Sequence, residues 1–487
     1  MILHKKESKQ QDETGHIRKM SLCERMFFMS PACTVMMTAR IAGPLDITRL
    51  RKALDAVTEI HPLLHAKVVF DQDHNAYFSS NAVPQVPIRI IPRISDNQWI
   101  DEIKQEARIP FELEKGPLIK CVLLHSPDVS DLLVLCNHSI CDGMALAICI
   151  RDLLVLYENP EKKIETLNPP DVMNILKPGL SVQGLLGQVI AAFTNRKWRK
   201  DPYYFDSEDY SALYSSYWED RTPGFVLFEF DENESERLHT MCRNHGVSIG
   251  SALSVACLSA HSDVCGEFSK PKQKVMMPFD LQRRANLGDV FSFCVGSIHF
   301  PFRYSQEKTF WQNTVSFHQG THSRLKAKKL PAIDIPPFDP SFMDAIASYS
   351  AFIHRVPEAY TLNENLIKFR EDPNNVANSL AKNFENNIPC LVPTNLGNIE
   401  ISESFGDVKL QKLIFLPSSS ELNPLILGGV GVSGRIVFSL QFVDSPSGTR
   451  TSPESEMIQI RNRALDLLGF PEKIHLRAVE ETCQPSM

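Results

Sequence analysis

The chain contains no run of about twenty apolar residues, the length a helix needs to cross a bilayer, so nothing in it predicts a transmembrane span. Its 12 cysteines include no CxxC pair, and the spacing of a structural zinc site is therefore missing. They are scattered, mostly through apolar runs, and are expected as reduced thiols serving as small buried hydrophobes. Positive charge is not in excess either. Lys and Arg number 51 against 58 Asp and Glu, a net charge of −7, which excludes the basic field that holds nucleic acid. Short repeats and low-complexity tracts are absent. The opening "MILHKKESKQQDETGHIRKM" lacks the apolar core of a secretory signal. Residues 1–20 are expected to form a flexible tail, and the protein is expected in the cytoplasm.

What is present is a soluble globular composition, 43% hydrophobic and 22% charged over 487 residues. That length exceeds what one core serves and predicts two or three lobes. "RLRKALDAVTEIHPLL" has helical spacing, with Thr48 as a candidate cap and Pro62 as a stop. "LIKCVLLHS" and "DLLVLCNHS" read as buried strands, and "MALAICIRDLLVLYEN" as a helix apolar on most faces. Proline and charge accumulate after residue 157, which marks a connector. The second half again alternates strand-like and helical segments, among them "GFVLFEFD", "KQKVMMPFDL", "VGSIHFPFRY" and "VPTNLGNIEI". Mixing in both halves predicts an α/β or α+β fold. The expected division is an N-terminal lobe over 21–175, a connector over 176–222 and a C-terminal lobe over 223–487.

One junction carries chemistry. In "LLVLCNHSICDGMALAICIRDLL" an apolar strand ends at His138, and Asp142 and Gly143 open the next helix. Imidazole is the side chain best matched to proton transfer near neutral pH. Asp142 either orients the ring or turns away to pair with a cation. Gly143, lacking a Cβ, lets backbone or ligand pass close. A histidine followed four places on by aspartate arises about once by chance in a chain of this kind, and the added glycine lowers that to about one in twenty. The place, where a strand runs into a helix, is where α/β proteins build sites.

"NHSICDG" resembles the HHxxxDG motif of the chloramphenicol acetyltransferase-like superfamily, which includes peptide-synthetase condensation domains, alcohol acetyltransferases, plant-type acyltransferases and the phthiocerol dimycocerosyl transferase type. Further segments are similar in the same order: "LCERMFF", "GPLDITRLRKALDAVTEIHPLLHAKV", "EKGPLIKCVLL", "MMPFDLQRR", "CVGSIHF" and "VPTNLGNIEI". The resemblance spans residues 20–470. It implies two similar lobes with a tunnel between them and an acyltransferase in which His138 is general base. The donor would be an acyl-CoA or a carrier-protein phosphopantetheine thioester, and the acceptor an alcohol or amine. No metal and no permanently bound cofactor is implied. Asp142 would form an ion pair with an arginine of the "DLQRR" segment. Gln282 stands at the first arginine place of that pattern, so Arg284 is the expected partner and Arg283 the reserve. Asn137 stands where many relatives have a first histidine, a histidine that the plant-type branch lacks too. Thr394 and Asn395 in "PTNLGN" are candidates for the oxyanion or substrate pocket, the alternative being a plain turn before a strand.

Two alternatives stand beside an acyltransferase of secondary or lipid metabolism. One is a stand-alone peptide-synthetase-type condensation domain, against which no adenylation or carrier segment is evident. The other is a catalytically silent ligand-binding member. A monomer is expected. Residues 180–200, with Phe193 and Trp198 beside Arg196, Lys197, Arg199 and Lys200, either touch a membrane surface peripherally or pack on the body with their cations solvated; the second is the commoner case.

Overall fold

Two six-stranded sheets and the side chains trapped between them position everything else. The computed structural model describes residues 15–171, 182–326, 336–360, 362–385, 388–445 and 453–473. The first half runs β1 (His16–Lys19), α1 (Leu22–Phe28), β2 (Thr34–Ala42), α2 (Ile47–Ile60), β3 (Lys67–Phe70), β4 (Ala76–Ser79), β5 (Ile88–Pro92), α3 (Gln98–Glu106), β6 (Ile119–His125), β7 (Val129–Asn137) and α4 (Gly143–Glu158). Helices α5 (Val182–Trp198) and α6 (Ser207–Trp218) follow. The second half runs β8 (Thr222–Phe230), α7 (Glu232–Asn244), α8 (Ile249–Cys265), β9 (Lys274–Asp280), α9 (Leu281–Ala285), β10 (Val295–Pro301), α10 (Phe310–Leu325), α11 (Pro340–Asp344), α12 (Glu364–Glu371), α13 (Val376–Glu385), β11 (Leu391–Asn398), β12 (Ser404–Phe405), β13 (Val408–Leu416), β14 (Leu425–Val432), β15 (Arg435–Asp444) and α14 (Pro453–Leu467).

The sheet orders are β12-β13-β2-β7-β6-β5 and β10-β9-β11-β14-β15-β8, with a small third sheet β1-β4-β3. The mixed α/β expectation holds. β7 is buried on both faces, and its two-residue period sorts its side chains. Leu132, Val134 and Cys136 enter the core shared with α2 and α4. Leu133 and Leu135 point the other way and meet Phe225, Leu227 and Val437 of the second sheet. That second cluster is where the two halves join.

The halves are not consecutive pieces of chain. β13 pairs antiparallel with β2, Leu413 opposite Ala39 and Phe415 opposite Met37, so a strand from the second half completes the first sheet. Phe342 of α11, Tyr349 just after it and Phe369 of α12 lie in the same core as β2 and β7. The reason is apolar: β2 offers an open edge, and Leu413, Ile414, Phe415 and Leu416 are all buried once paired with it. Residues 182–218, expected as connector, form α5 and α6, and Tyr210, Leu213, Tyr214, Tyr217 and Trp218 of α6 enter the first core. Within the expected tail, His16–Lys19 form β1 against β4, while residues 1–14 lie outside the described residues. Asp46, not Thr48, caps α2, accepting from Arg49 N at 2.9 Å.

A buried ion pair fixes the α11 segment to α1. Arg25 Nε donates to Asp344 Oδ1 at 2.9 Å, and its Nη2 reaches Oδ2. Burial pushes the Asp344 carboxyl up to about 6 in spite of the guanidinium beside it. Removing one partner leaves the other charge buried and unpaired. Asp344→Ala is therefore expected to cost about 3–5 kcal/mol in urea denaturation. Arg25→Met combined with Asp344→Leu should cost less than Asp344→Ala alone; a larger loss would mean that the pair is net stabilising.

Candidate active site

β7 ends at Asn137 because that side chain closes the next turn. Its Oδ1 accepts from Ser139 N at 3.0 Å and Ser139 Oγ at 2.7 Å, and its Nδ2 donates to Phe28 O at 3.0 Å. Asn137 thus ties the turn to the end of α1. It is buried and holds the loop as an amide.

The turn sets His138. Its backbone N–H donates to Cys33 O at 2.9 Å. The ring nitrogen Nδ1 lies 2.7 Å from Cys141 O. A carbonyl only accepts, so Nδ1 carries the proton and Nε2 keeps a lone pair. The ring packs against Phe27, at 4.6 Å between centroids, and Phe293, edge-on at 5.3 Å, and these two rings are 5.2 Å from each other. Burial among these rings pushes the imidazole pKa down to about 4, against the Cys141 carbonyl, which favours the charged form. The ring is therefore neutral at physiological pH. Cys141 is buried, in keeping with the reading of the cysteines as apolar filler.

Asp142 is the N-cap of α4. Its Oδ1 accepts from Ala145 N at 2.9 Å, and its Oδ2 accepts from Cys294 N, also at 2.9 Å, across the seam between the halves. The expected ion pair with Arg284 is not formed. Arg284 Nη2 donates to Leu325 O at 2.8 Å, and its guanidinium lies over the Phe279 ring. Arg283 is exposed and 3.5 Å from Asp280. The cause is local. Asp280 caps α9, and the first helical turn points Gln282 inward and the two arginines outward. Gln282 is 3% exposed and donates to Val290 O at 2.9 Å. At the inward position of this pattern the chain thus carries a neutral amide. With no cation against it among the described residues, burial pushes the Asp142 carboxyl up to about 6; the Ala145 and Cys294 amides oppose this, and Asp280 adds to it.

The segment between α9 and β10, residues 286–294, carries no sequence signal before Cys294, which opens "CVGSIHF", yet it closes the site. Phe293 meets His138, Phe291 packs in the first core near His61, and Cys294 N holds Asp142. Asp289 adds a second tie, accepting from Arg151 Nη1 of α4 at 2.6 Å. Arg151 in turn contacts Asp152, which bonds His61 Nε2 at 2.9 Å. Apolar residues of this kind carry no sequence signal that separates them from ordinary core.

Gly143 sits against β13 and β11. A Cβ there would lie 2.5 Å from Phe415 Cζ and 2.9 Å from Leu396 Cδ2. Thr394 and Asn395 lie within β11, not in a turn before it. The Asn395 amide lies over Gly250 and Gly429, and its Oδ1 accepts from Gly397 N at 3.0 Å. Thr394 is half-buried, two residues before Leu396.

Comparison with known proteins gives a family match over part of the chain and a fold match over most of it. The condensation-domain family model matches residues 18–173. The fold is the condensation-domain fold. The trichothecene 15-O-acetyltransferase TRI3 of Fusarium sporotrichioides superposes with a TM-score of 0.58 at 12% identity, covering 92% of this chain and 95% of that one. Polyketide synthase associated protein 5 of Mycobacterium tuberculosis gives 0.57 at 14% identity, with 94% and 99% covered. In sequence, the phosphinothricin tripeptide synthetase PhsC of Streptomyces viridochromogenes is 27% identical over 173 residues, 33% of this chain and 16% of that protein. Nonribosomal peptide synthetase 5 of Gibberella zeae is 26% identical over 157 residues, 31% of this chain and 1% of that protein. The chain thus spans a minor share of the curated relatives it matches. Condensation-type sequence similarity is concentrated in the part that contains His138, while the condensation fold extends over nearly the whole chain.

Two measurements probe this geometry. Gly143→Ala gains helix propensity of up to about 1 kcal/mol, but overpacking against the buried Phe415 costs about 1–3 kcal/mol; a net loss in denaturant midpoint is expected, and a gain would show that Phe415 yields freely. For Asp142 the sign is fixed by its raised pKa. The folded state holds the proton more tightly than the unfolded chain, so stability from this group rises as pH falls below about 6. Between pH 7 and pH 5 the wild type should gain about 1 kcal/mol on Asp142→Asn. A constant difference would place the carboxylate in an unperturbed, solvated state.

Proposed function

We propose that this protein is an acyltransferase that moves an acyl group from a pantetheine thioester, carried on CoA or on a carrier protein, to an alcohol or amine. The observation that carries the proposal is the locked imidazole: Nδ1 bound to the Cys141 carbonyl, Nε2 unprotonated, and the ring held neutral against two phenylalanines. The acceptor O–H or N–H gives its proton to Nε2 as its lone pair attacks the thioester carbonyl. A tetrahedral oxyanion forms, collapses with loss of the C–S bond, and the departing thiolate takes the proton from the imidazolium. No acyl-enzyme is required. Phe27 and Phe293 keep water from competing as acceptor and base partner.

Within this proposal Asp142 and Gly143 are positioning residues. The carboxylate holds the head of α4 to the 286–294 segment, and that segment carries Phe293 to the ring. Thr394 is proposed as the oxyanion donor, since Asn395 is turned to Gly250 and Gly429. A condensation step on carrier-bound donors is the second reading. It is favoured by the match of residues 18–173 to the condensation-domain model and by the synthetases among the relatives.

Release of thiol from a panel of acyl-CoAs and acyl carrier proteins, with alcohol and amine acceptors, tests the proposal. His138→Ala should fold as the wild type does and lose about 10²–10⁴ in turnover; retained turnover would remove His138 as base. In kcat/KM against pH, the limb of an ordinary histidine near 6.5 should be missing, because the ring gives up its proton near 4. A limb near 6 that disappears in Asp142→Asn belongs to that carboxyl. One near 6.5 that survives in this variant contradicts the neutral, half-buried ring.

A further inference from the structure

The geometry points to α5 as a docking element for an anionic lipid surface. The helix is held to the body by one face. Ala191, Thr194 and Trp198 are buried, Trp198 Nε1 donates to Ser341 Oγ at 2.9 Å, and Asn195 Nδ2 donates to Pro337 O at 2.9 Å. The opposite face is left to solvent. Val189, Ile190 and Phe193 are 53%, 46% and 71% exposed, three of the eight large exposed hydrophobics of the described residues, gathered within five positions. At 3.6 residues per turn they fall with Arg196 and Lys197 on one stripe about a third of the circumference wide. Lys200 continues it in the turn that follows. Of the neighbouring cations, Arg199 is matched by Asp339 at 2.8 Å.

The stripe is therefore graded along its axis, apolar in its middle and cationic at its C-terminal end, on a chain whose net charge is −7. A local cationic cluster on an acidic protein selects an anionic partner by charge complementarity. Three apolar side chains fall short of the roughly 800 Å² per partner that a stable protein interface buries. A lipid surface has no such requirement. It accepts a shallow apolar wedge at the headgroup boundary and pairs the adjoining cations with lipid phosphate and carboxylate groups. The apolar residues enter the interface first, and Arg196, Lys197 and Lys200 remain at headgroup level.

Co-sedimentation of the full chain with vesicles tests this. Wild type is expected to bind vesicles with about one-fifth phosphatidylserine and to ignore pure phosphatidylcholine. Binding should weaken at least tenfold as salt shortens the screening length to about 3 Å at 1 M. Phe193→Glu, and separately Lys197→Glu with Lys200→Glu, should each reduce binding at least tenfold with the melting temperature unchanged. The lysine pair is fully on the surface, so it remains informative if Phe193→Glu fails to fold. Absence of vesicle binding, or binding that neither variant alters, overturns the proposal. So does Phe193-dependent self-association in light scattering without lipid, which would make the stripe a contact between copies, or Phe193-dependent saturable binding of an acidic carrier protein in place of the vesicles.

Discussion

The head of α4 is the point on which the arrangement depends. A helix start leaves backbone N–H groups without partners, and Asp142 supplies one acceptor to its own helix and one to Cys294 N of the other half. One carboxylate thus caps the helix and ties the two halves at the residue beside the turn that holds His138. Displacing it would release both the turn and the segment that brings Phe293 to the ring.

Among the described residues, that tie is made by backbone amides and not by a cation. An arginine facing Asp142 would hold its carboxyl low and bind the halves by charge. Here two amides do the work, Gln282 braces Val290 instead, and the carboxyl rises to about 6. The arrangement exchanges Coulomb attraction for hydrogen bonds at fixed backbone positions. Those bonds are directional, so they define where the 286–294 segment sits. The same low-polarity surroundings keep His138 neutral. Burial thus acts on both groups in the direction that favours their uncharged forms.

Much of this was legible beforehand. Strand β7, helix α4 and the junction between them follow from apolar runs interrupted by Asn137, His138, Asp142 and Gly143. The mixed fold and the ordered segments that resemble condensation domains follow too. The partner of Asp142 did not. Counting along "DLQRR" favours Arg284, but the inward direction is set by the Asp280 cap and the pitch of one helical turn. Phe27, Phe293 and Phe415 were invisible as site residues because a phenylalanine in a core and one against a catalytic-type ring have the same sequence signature.

The sequence by itself determined which chemistry is available: a histidine at the end of a buried strand, a carboxylate at a helix start, a glycine where backbone must pass, and no basic field or apolar run long enough to form a membrane-crossing helix. Those are local properties, governed by residue type and short-range periodicity. The tertiary structure alone decided the tautomer of His138, the hold of two backbone amides on Asp142, the entry of β13 into the first sheet and the exposure of one face of α5. Each of these depends on groups far apart in the chain being brought within a few ångströms, and residue spacing carries no record of that.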